Sequence, residues 1–471
     1  MNTVSQEPFK VHLWESIRAV KLLQILSVSL GLSIPNLYVY EGLSIFYVIY
    51  SVLLCLVQTV TLIFNIVITT GNQYHLQPLS TNILHTVALF LSTATNIISI
   101  IMTVTLKRRK MVKLAKTIST LEKQMQLKYQ ETIIYDNNKL ITKFLLFQSF
   151  IIGINLHQLY IYSGLFNSSF WHVAVYCLSK SDVMSISIIV SQVYFYCSCI
   201  KRIIQFTHEN MVKKIRPVKS TNFVDHELKD IFRIETDFFV KKYDMICDIT
   251  DMVGDIFDTQ IFFILICIVI EVLHGINNSL RVILGSQIFE PNSVSLIVIS
   301  GFNILQYIPL FKVYYQHYLF MITFFMHSVS SYHFIAKKQL MKQENLLKLP
   351  ESWHTISKTP VLEVNQQHYL LIMAIFQTFG VILALSCQET ANEARKTSNI
   401  CYKLLLDFPS HSKNSQEIII EEDLKLLIEH VRIRKVQFWA GTFPVDSSML
   451  FMITVIILTL LLIILQLEYK I

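Results

Sequence analysis

The sequence predicts an all-α membrane protein of seven transmembrane helices, with its N-terminus cytoplasmic and its C-terminus extracellular. Three observations predict it. Hydrophobic residues make up 53% of the 471-residue chain and charged residues only 15%, with mean hydropathy +0.48. Soluble domains carry about 25% charged residues. Apolar runs of bilayer length recur along the chain, since ~20 helical residues span the ~30 Å hydrocarbon layer. Basic residues gather in the connections between runs, the pattern that keeps Lys and Arg cytoplasmic. The net charge of +7 therefore reads as topology and not as affinity for nucleic acid.

Taken in order, residues 1–42 read as a cytoplasmic leader. Met1 to Lys21 is polar and mixed in charge, so no cleavable signal peptide is expected and the first span should act as its own insertion signal. The first two apolar runs are Leu43–Ile68 and Ile83–Leu106. Lys107-Arg108-Arg109-Lys110 follows directly and marks that end, and with it the N-terminus, as cytoplasmic. Met111–Lys143 is charged, with Leu114, Ile118, Leu121 and Met125 at helical spacing, which reads as a cytoplasmic extension of the second span.

The third span, Phe144 to about Leu165, is unusually polar, with Gln148, Asn155, His157, Gln158, Tyr160 and Tyr162. Asn167-Ser168-Ser169 after it is a glycosylation sequon, which functions only on the outer side. A fourth run, from near Trp171 to near Ile200, ends at Lys201-Arg202 and carries Asp182, Ser185, Ser187, Ser191 and Gln192. An ionisable group at membrane depth faces the bundle interior or a water-filled cavity. Asp182 equally suits the headgroup level beside Lys180. Residues 201–255 are charged with apolar residues at helical spacing, as expected of cytoplasmic anchor helices.

Span five begins the 256–293 segment with the run Ile261–Val272, and Asn277-Asn278-Ser279 gives a second outer sequon. The 294–367 stretch is irregular, interrupted by Pro309, Lys312 and His317. If it crossed once more, the last helix would reverse and Arg432–Lys435 would lie outside. Seven crossings therefore require an enlarged outer loop or a re-entrant insert there; retained intron sequence is a further reading. Span six covers 368–388, cytoplasmic helices fill 389–445, and the final span is 446–471. Within 389–445, Leu424, Leu427, Ile428 and Val431 form one apolar stripe of a helix at Glu421–Val436.

From Met449 to Leu467 almost every residue is apolar, roughly 28 Å of helix. Pro444 resists helix upstream, and Asp446, Ser447 or Ser448 can cap the first turn. Thr459, Leu462, Ile463 and Gln466 fall on one face. A Gln amide in lipid lacks partners, so Gln466 should meet a neighbouring helix, the interface, or the water of a pore.

No nucleophile constellation, phosphate-binding glycine loop, metal cluster or paired-carboxylate site stands out, and no cofactor is expected. The chain reads as no enzyme; an intramembrane enzyme pairing Asp182 with a second buried acid is the remaining catalytic reading. Cys197-x-Cys199 lacks partners at metal-ligand spacing and reads as structural. A transporter usually shows internal repeats and broken helices, and only Pro309 is a candidate break. A cytoplasmic N-terminus argues against an ordinary G-protein-coupled receptor.

Gly441-x-Phe443-x-Val445-Asp446 before Leu450-Phe451 resembles the entry to the last helix of insect gustatory receptors. Thr459-Leu460, five apolar residues and Gln466-Leu467 resemble their terminal Thr-Tyr, five apolar, Gln-Phe signature, with Leu460 and Leu467 departing from it. Tyr243-x-x-x-Cys247-Asp248-x-x-Asp251 into Asp255-Ile256-Phe257-x-x-Gln260 is similar to the family's entry to span five. Glu393-Ala394-x-Lys396-Thr397 with Lys403-Leu404 resembles the segment after span six. The match is good over the C-terminal half and rests on span layout in the N-terminal half.

The resemblance implies the insect chemoreceptor channel fold: a ligand-gated, poorly selective cation channel of four subunits, homomeric or assembled with related receptors. It would sit in the lipid of a sensory neuron's plasma membrane, open to a small-molecule tastant and indifferent to nucleic acid. The last helix would line the pore, with Thr459, Ile463, Gln466 and Leu467 as pore and gate residues; Leu467 stands where the family has its gating Phe. An outward-opening pocket would draw on His157, Gln158, Tyr160, Tyr162, Asp182, Ser185, Gln192 and Gln377, although each alone reads equally as helix packing. Asn167 and Asn277 would carry glycans. The altered terminal signature leans to a bitter plant compound over a sugar. An odorant-receptor-type channel shares the topology, and the entry motif with Gln466 favours the gustatory branch.

Overall fold

The computed structural model describes residues 18–32, 45–73, 79–105, 107–131, 133, 137–166, 170–215, 225–285, 359–406 and 415–469. These form two compact units, one of residues 1–275 with 371–471 and one of residues 276–370. The irregular 294–367 stretch lies largely outside the described residues, so its expected loop or re-entrant form is not addressed.

Ten helices and one small hairpin are described. They are α1 (Arg18–Ser29), α2 (Ile45–Gln73), α3 (Leu79–Val104), α4 (Arg108–Tyr129), α5 (Asn137–Phe166), α6 (Phe170–Ile215), α7 (Asp225–Gly285), α8 (Thr359–Leu406), α9 (Ser415–Ile433), then β1 (Trp439–Ala440) with β2 (Phe443–Pro444), and α10 (Ser447–Tyr469). Apolar stretches long enough to cross a bilayer lie at Phe46–Val67, Ile83–Val104, Ser181–Lys213, Ile234–Asn277 and Ser447–Ile464. Thr142–Leu156 on α5 is a shorter apolar helix. In lipid every backbone polar group must be satisfied within its own segment, so β-branched runs such as Ile186-Ser187-Ile188-Ile189-Val190 become helix despite their strand preference.

The first unit is organised around α6, which packs against α1, α2, α3 and α5. Ile186 through Val190 have no exposed surface at all. By contrast α2 turns Phe46, Val52, Leu56, Val60 and Val67 outward. Cys197 and Cys199 are buried on α6, and Cys197 Sγ lies 3.8 Å from Cys387 Sγ of α8 as free thiols. Their structural reading therefore rests on packing.

Several helices run on beyond bilayer length. The apolar Ile234–Asn277 stretch alone has 44 residues, about 66 Å at ~1.5 Å per residue and twice the hydrocarbon layer, so one end must project into water. The second span does not run on into α4 as the spacing predicted. α3 ends at Val104 and α4 starts at Arg108, and Lys107 between them turns inward, 9% exposed, to place Nζ 2.6 Å from Asp258 Oδ1. The expected apolar residues Leu114, Ile118, Leu121 and Met125 are nevertheless all buried on α4. Lys110 Nζ pairs with Asp255 Oδ2 at 2.6 Å and Lys128 Nζ with Glu235 Oε1 at 2.8 Å, so α4 is stapled to α7 along its length. On α9, Leu424, Leu427, Ile428 and Val431 are all buried, as their spacing requires.

Candidate functional site

Two regions bear on function: the polar interior of the bundle and the hairpin with the helix that follows it. In the bundle, Asp182 of α6 is 4% exposed and accepts two hydrogen bonds from α3. Thr93 Oγ1 donates to Oδ2 at 2.6 Å and Asn96 Nδ2 donates to Oδ1 at 3.1 Å. Asp182 thus sits inside the bundle. Ser185, one turn further along, is fully buried, and its hydroxyl meets no acceptor among the described residues. The amide oxygen of Asn96 is in the same position. Together these groups form a buried, oxygen-rich patch between α3 and α6.

Gln192 is not part of that patch. Ten residues beyond Asp182, about 15 Å along the helix, it donates through Nε2 to Ser27 Oγ of α1 at 2.9 Å. A third buried group links α5 to α6: Ser187 Oγ donates to Gln148 Oε1 at 2.9 Å while Gln148 Nε2 donates to Ser191 Oγ at 3.2 Å. Gln377 is exposed on α8. His157, Gln158, Tyr160 and Tyr162 lie on α5, and their side chains are outside the described residues. Of the eight expected pocket residues the structure brings together Asp182 and Ser185, and separates Gln192 from them. Thr93 and Asn96 complete the patch and were missed. Their signal was polar residues three apart within the otherwise apolar second run.

The last helix begins as its sequence requires. Asp446 Oδ1 accepts from Ser448 N at 2.9 Å and Met449 N at 3.3 Å, so among the three candidate caps it is Asp446 that serves. Met449, Ile453, Ile457 and Leu461, each four apart, are buried against the rest of the chain. Gly380 of α8 lets the helices close here: a Cβ on it would lie 3.4 Å from Ile268 of α7 and 3.6 Å from Leu450 of α10. The other face of α10 exposes Val455, Thr459, Leu462, Ile463 and Gln466. Thr459 satisfies its hydroxyl on the Val455 carbonyl at 2.9 Å. Gln466 makes no side-chain hydrogen bond among the described residues, and the side chain of Leu467 lies outside them.

The hairpin before α10 gives each residue of the Gly-x-Phe-x-Val-Asp segment a physical task. Ala440 pairs with Phe443 and Trp439 with Pro444, leaving Gly441-Thr442 as a two-residue turn. Gly441 has φ +62, which a residue with a Cβ adopts only under strain. Val445 is buried and donates its N–H to Phe438 O at 2.9 Å, closing the hairpin directly before the Asp446 cap.

The other quoted segment, on α7, docks against the residue that leads into this hairpin. Tyr243 Oη donates to the Arg434 carbonyl at 3.2 Å, and Cys247 Sγ lies 3.7 Å from the same oxygen. The Arg434 guanidinium donates to Asp244 Oδ1 at 2.7 Å and also to Asp248. Asp251 Oδ2 stands 4.0 Å away. His430 of α9 meets Asp244 Oδ1 at 2.7 Å. Burial pushes the Asp244 carboxyl up, but the hydrogen bonds from Arg434 and His430 outweigh it and hold it below the usual aspartate range. The hydrogen bonds of Asp244 and Asp248 in turn raise the pKa of Arg434.

The model of the 7tm chemosensory receptor family matches residues 39–332, more than half of the chain. The chain belongs to that family. Its fold is similar to that of the insect olfactory receptor OR5 from Machilis hrabei, at TM-score 0.50 and 10% identity, covering 97% of this chain and 99% of that one. The same receptor in complex with eugenol matches at TM-score 0.50 and 11% identity, with equal coverage. Comparison with curated proteins gives no match. Family membership sets aside the transporter and enzyme readings of the receptor's buried carboxylate. Asn277, the second expected glycan acceptor, lies within helix α7 and is buried. Asn167 is outside the described residues.

Proposed function

We propose that the receptor is a gustatory chemoreceptor, a ligand-gated and poorly selective cation channel that opens to a small tastant, with a bitter plant compound favoured over a sugar. The observation that carries this reading is the two-faced last helix. One face is locked into the subunit by Met449, Ile453, Ile457 and Leu461, and the other presents Thr459, Ile463 and Gln466 outward. A glutamine amide exposed to lipid loses several kilocalories, whereas a water-filled axis between subunits satisfies it. Four subunits, identical or mixed with related receptors, would bring four such faces together, with Leu467 as a ring that closes by dewetting. Seven crossings then place the N-terminus inside and Asn167 outside, in the plasma membrane of a sensory neuron.

The patch around Asp182 and Ser185, with the polar residues of α5, supplies the ligand pocket: small-molecule sites combine apolar walls with a few placed polar groups. That the fold-related OR5 is seen in complex with eugenol supports a small-molecule ligand.

Whole-cell current in cells expressing the receptor alone, challenged with quinine, caffeine, sucrose, sorbitol and eugenol, tests this reading. A ligand-evoked cation current is expected. Gln466→Ala and Leu467→Ala should change its amplitude or ion preference at least threefold without lowering the amount of receptor at the surface. Currents indifferent to both substitutions would take the pore away from α10.

A further inference from the structure

The two quoted segments that fall far apart in sequence meet at one residue. Tyr243, Asp244, Cys247, Asp248 and Asp251 occupy one side of α7 at i, i+1, i+4, i+5 and i+8, and all are directed at Arg434. Both ends of Arg434 are held. Its carbonyl receives a hydroxyl and a thiol, and its guanidinium spans two carboxylates in the fork geometry that Arg alone provides. Arg434 N donates in turn to His430 O of α9 at 2.9 Å. Five residues later, at Trp439, the chain enters the hairpin, whose turn glycine lies beside Phe262 of α7, 3.7 Å from where a Cβ would stand. The segment from Arg434 through the hairpin therefore contacts α7 at two levels, at Arg434 and at Gly441. Beyond it, Asp446 starts the pore helix.

A fold that needed only to join α9 to α10 could use any turn. This one fixes the join to α7, the helix that also runs up past the bundle interior through Cys267, in contact with Thr95 of α3 at 3.2 Å. We infer that Arg434 is a positioning residue that clamps the base of the pore helix to α7, and that the clamp sets how strongly ligand binding in the bundle is felt at the pore. The inference rests on the channel reading above. With the clamp closed, α10 pivots from a fixed base, so a shift of the bundle moves its outer end. With the clamp open, the same shift is absorbed by the hairpin. The coupling is assigned by its response to both partners and not by position alone.

The test combines currents with amide exchange. In the intact receptor, with whichever of quinine, caffeine, sucrose, sorbitol or eugenol evokes a wild-type current, Arg434→Gln should raise the half-maximal concentration at least fivefold at unchanged surface amount. Asp244→Asn should act in the same direction. The double variant should be no worse than the worse single one, because both remove one interaction. Arg434→Lys, which keeps the charge and loses the fork, should fall between. Asp251→Asn, at the edge of the contact, should shift the value less than twofold. Amide exchange in the 436–446 segment of the purified receptor should accelerate about tenfold in Arg434→Gln while α9 stays protected.

Additive shifts in the double variant, or unchanged exchange at the hairpin, would overturn the clamp. If Arg434→Gln fails to reach the surface, Arg434→Lys and Asp244→Asn decide by the same measures. A silent wild-type receptor would count against the channel reading alone, and hairpin exchange would then decide whether the clamp exists.

Discussion

Helices α6 and α10 are both apolar, and they treat their polar residues in opposite ways. In α6, 72% of the most apolar window is buried, and Asp182, Ser187, Ser191 and Gln192 all end on groups of the same chain. In α10 only 22% of the window is buried, and Gln466 points away from the subunit with no protein partner among the described residues. The lesson is that a polar residue at membrane depth holds the fold together when its partners are within the chain, whatever else it binds. It calls for water or a second subunit when they are not. Exposure alone does not distinguish the two, since α2 is equally exposed but turns Phe46, Val52, Leu56 and Val60 outward. The chemistry of the exposed face does.

Four substitutions sharpen or break this contrast. Asp182→Ala should have the largest effect on folding, because it strands the Thr93 hydroxyl and the Asn96 amide, each at about 1–3 kcal/mol for an unsatisfied buried group. Surface receptor should fall to a small fraction of wild type and thermal unfolding should come several degrees earlier, with Asp182→Asn milder. A fully expressed Asp182→Ala receptor would erase the contrast. Gly441→Ala comes next: it forces a Cβ into φ +62, at about 1–2 kcal/mol. A modest drop in the unfolding temperature should follow. Gln466→Ala, in spite of its expected effect on current, should leave the unfolding free energy within about 0.5 kcal/mol of wild type, as for an exposed position. Smallest is Thr459→Val. Its hydroxyl is already satisfied by Val455 O, so less than a twofold change in current amplitude is expected.

Much of the fold was legible because membrane helices write themselves as apolar runs. The span edges at Leu43–Ile68, Ile83–Leu106 and Met449–Leu467 fall close to α2, α3 and α10. The stripe of Leu424, Leu427, Ile428 and Val431 is buried because a period of 3.6 leaves no other face for it. The break before α4 was not legible, since Lys107 as one of four consecutive basic residues carries no sign that it pairs with Asp258, 151 residues away. The pocket was half legible for the same reason. Asp182 is conspicuous in an apolar run, but its donors Thr93 and Asn96 are ordinary residues of another helix. Gln192 looked equivalent to Asp182 and is not, because α1, itself short and only weakly apolar, supplies Ser27 to it.

The distance along the chain between the two halves of the clamp has a consequence for biosynthesis. Tyr243 precedes the Arg434 carbonyl that it binds by 191 residues. At about 5–20 residues per second of synthesis, the α7 docking surface waits roughly ten to forty seconds for its partner. During that interval Asp244, Asp248 and Asp251 lie uncompensated on a nascent helix while earlier spans are already being inserted. A chain that ends before Arg434 therefore lacks the guanidinium that Asp244 and Asp248 bind in the finished receptor.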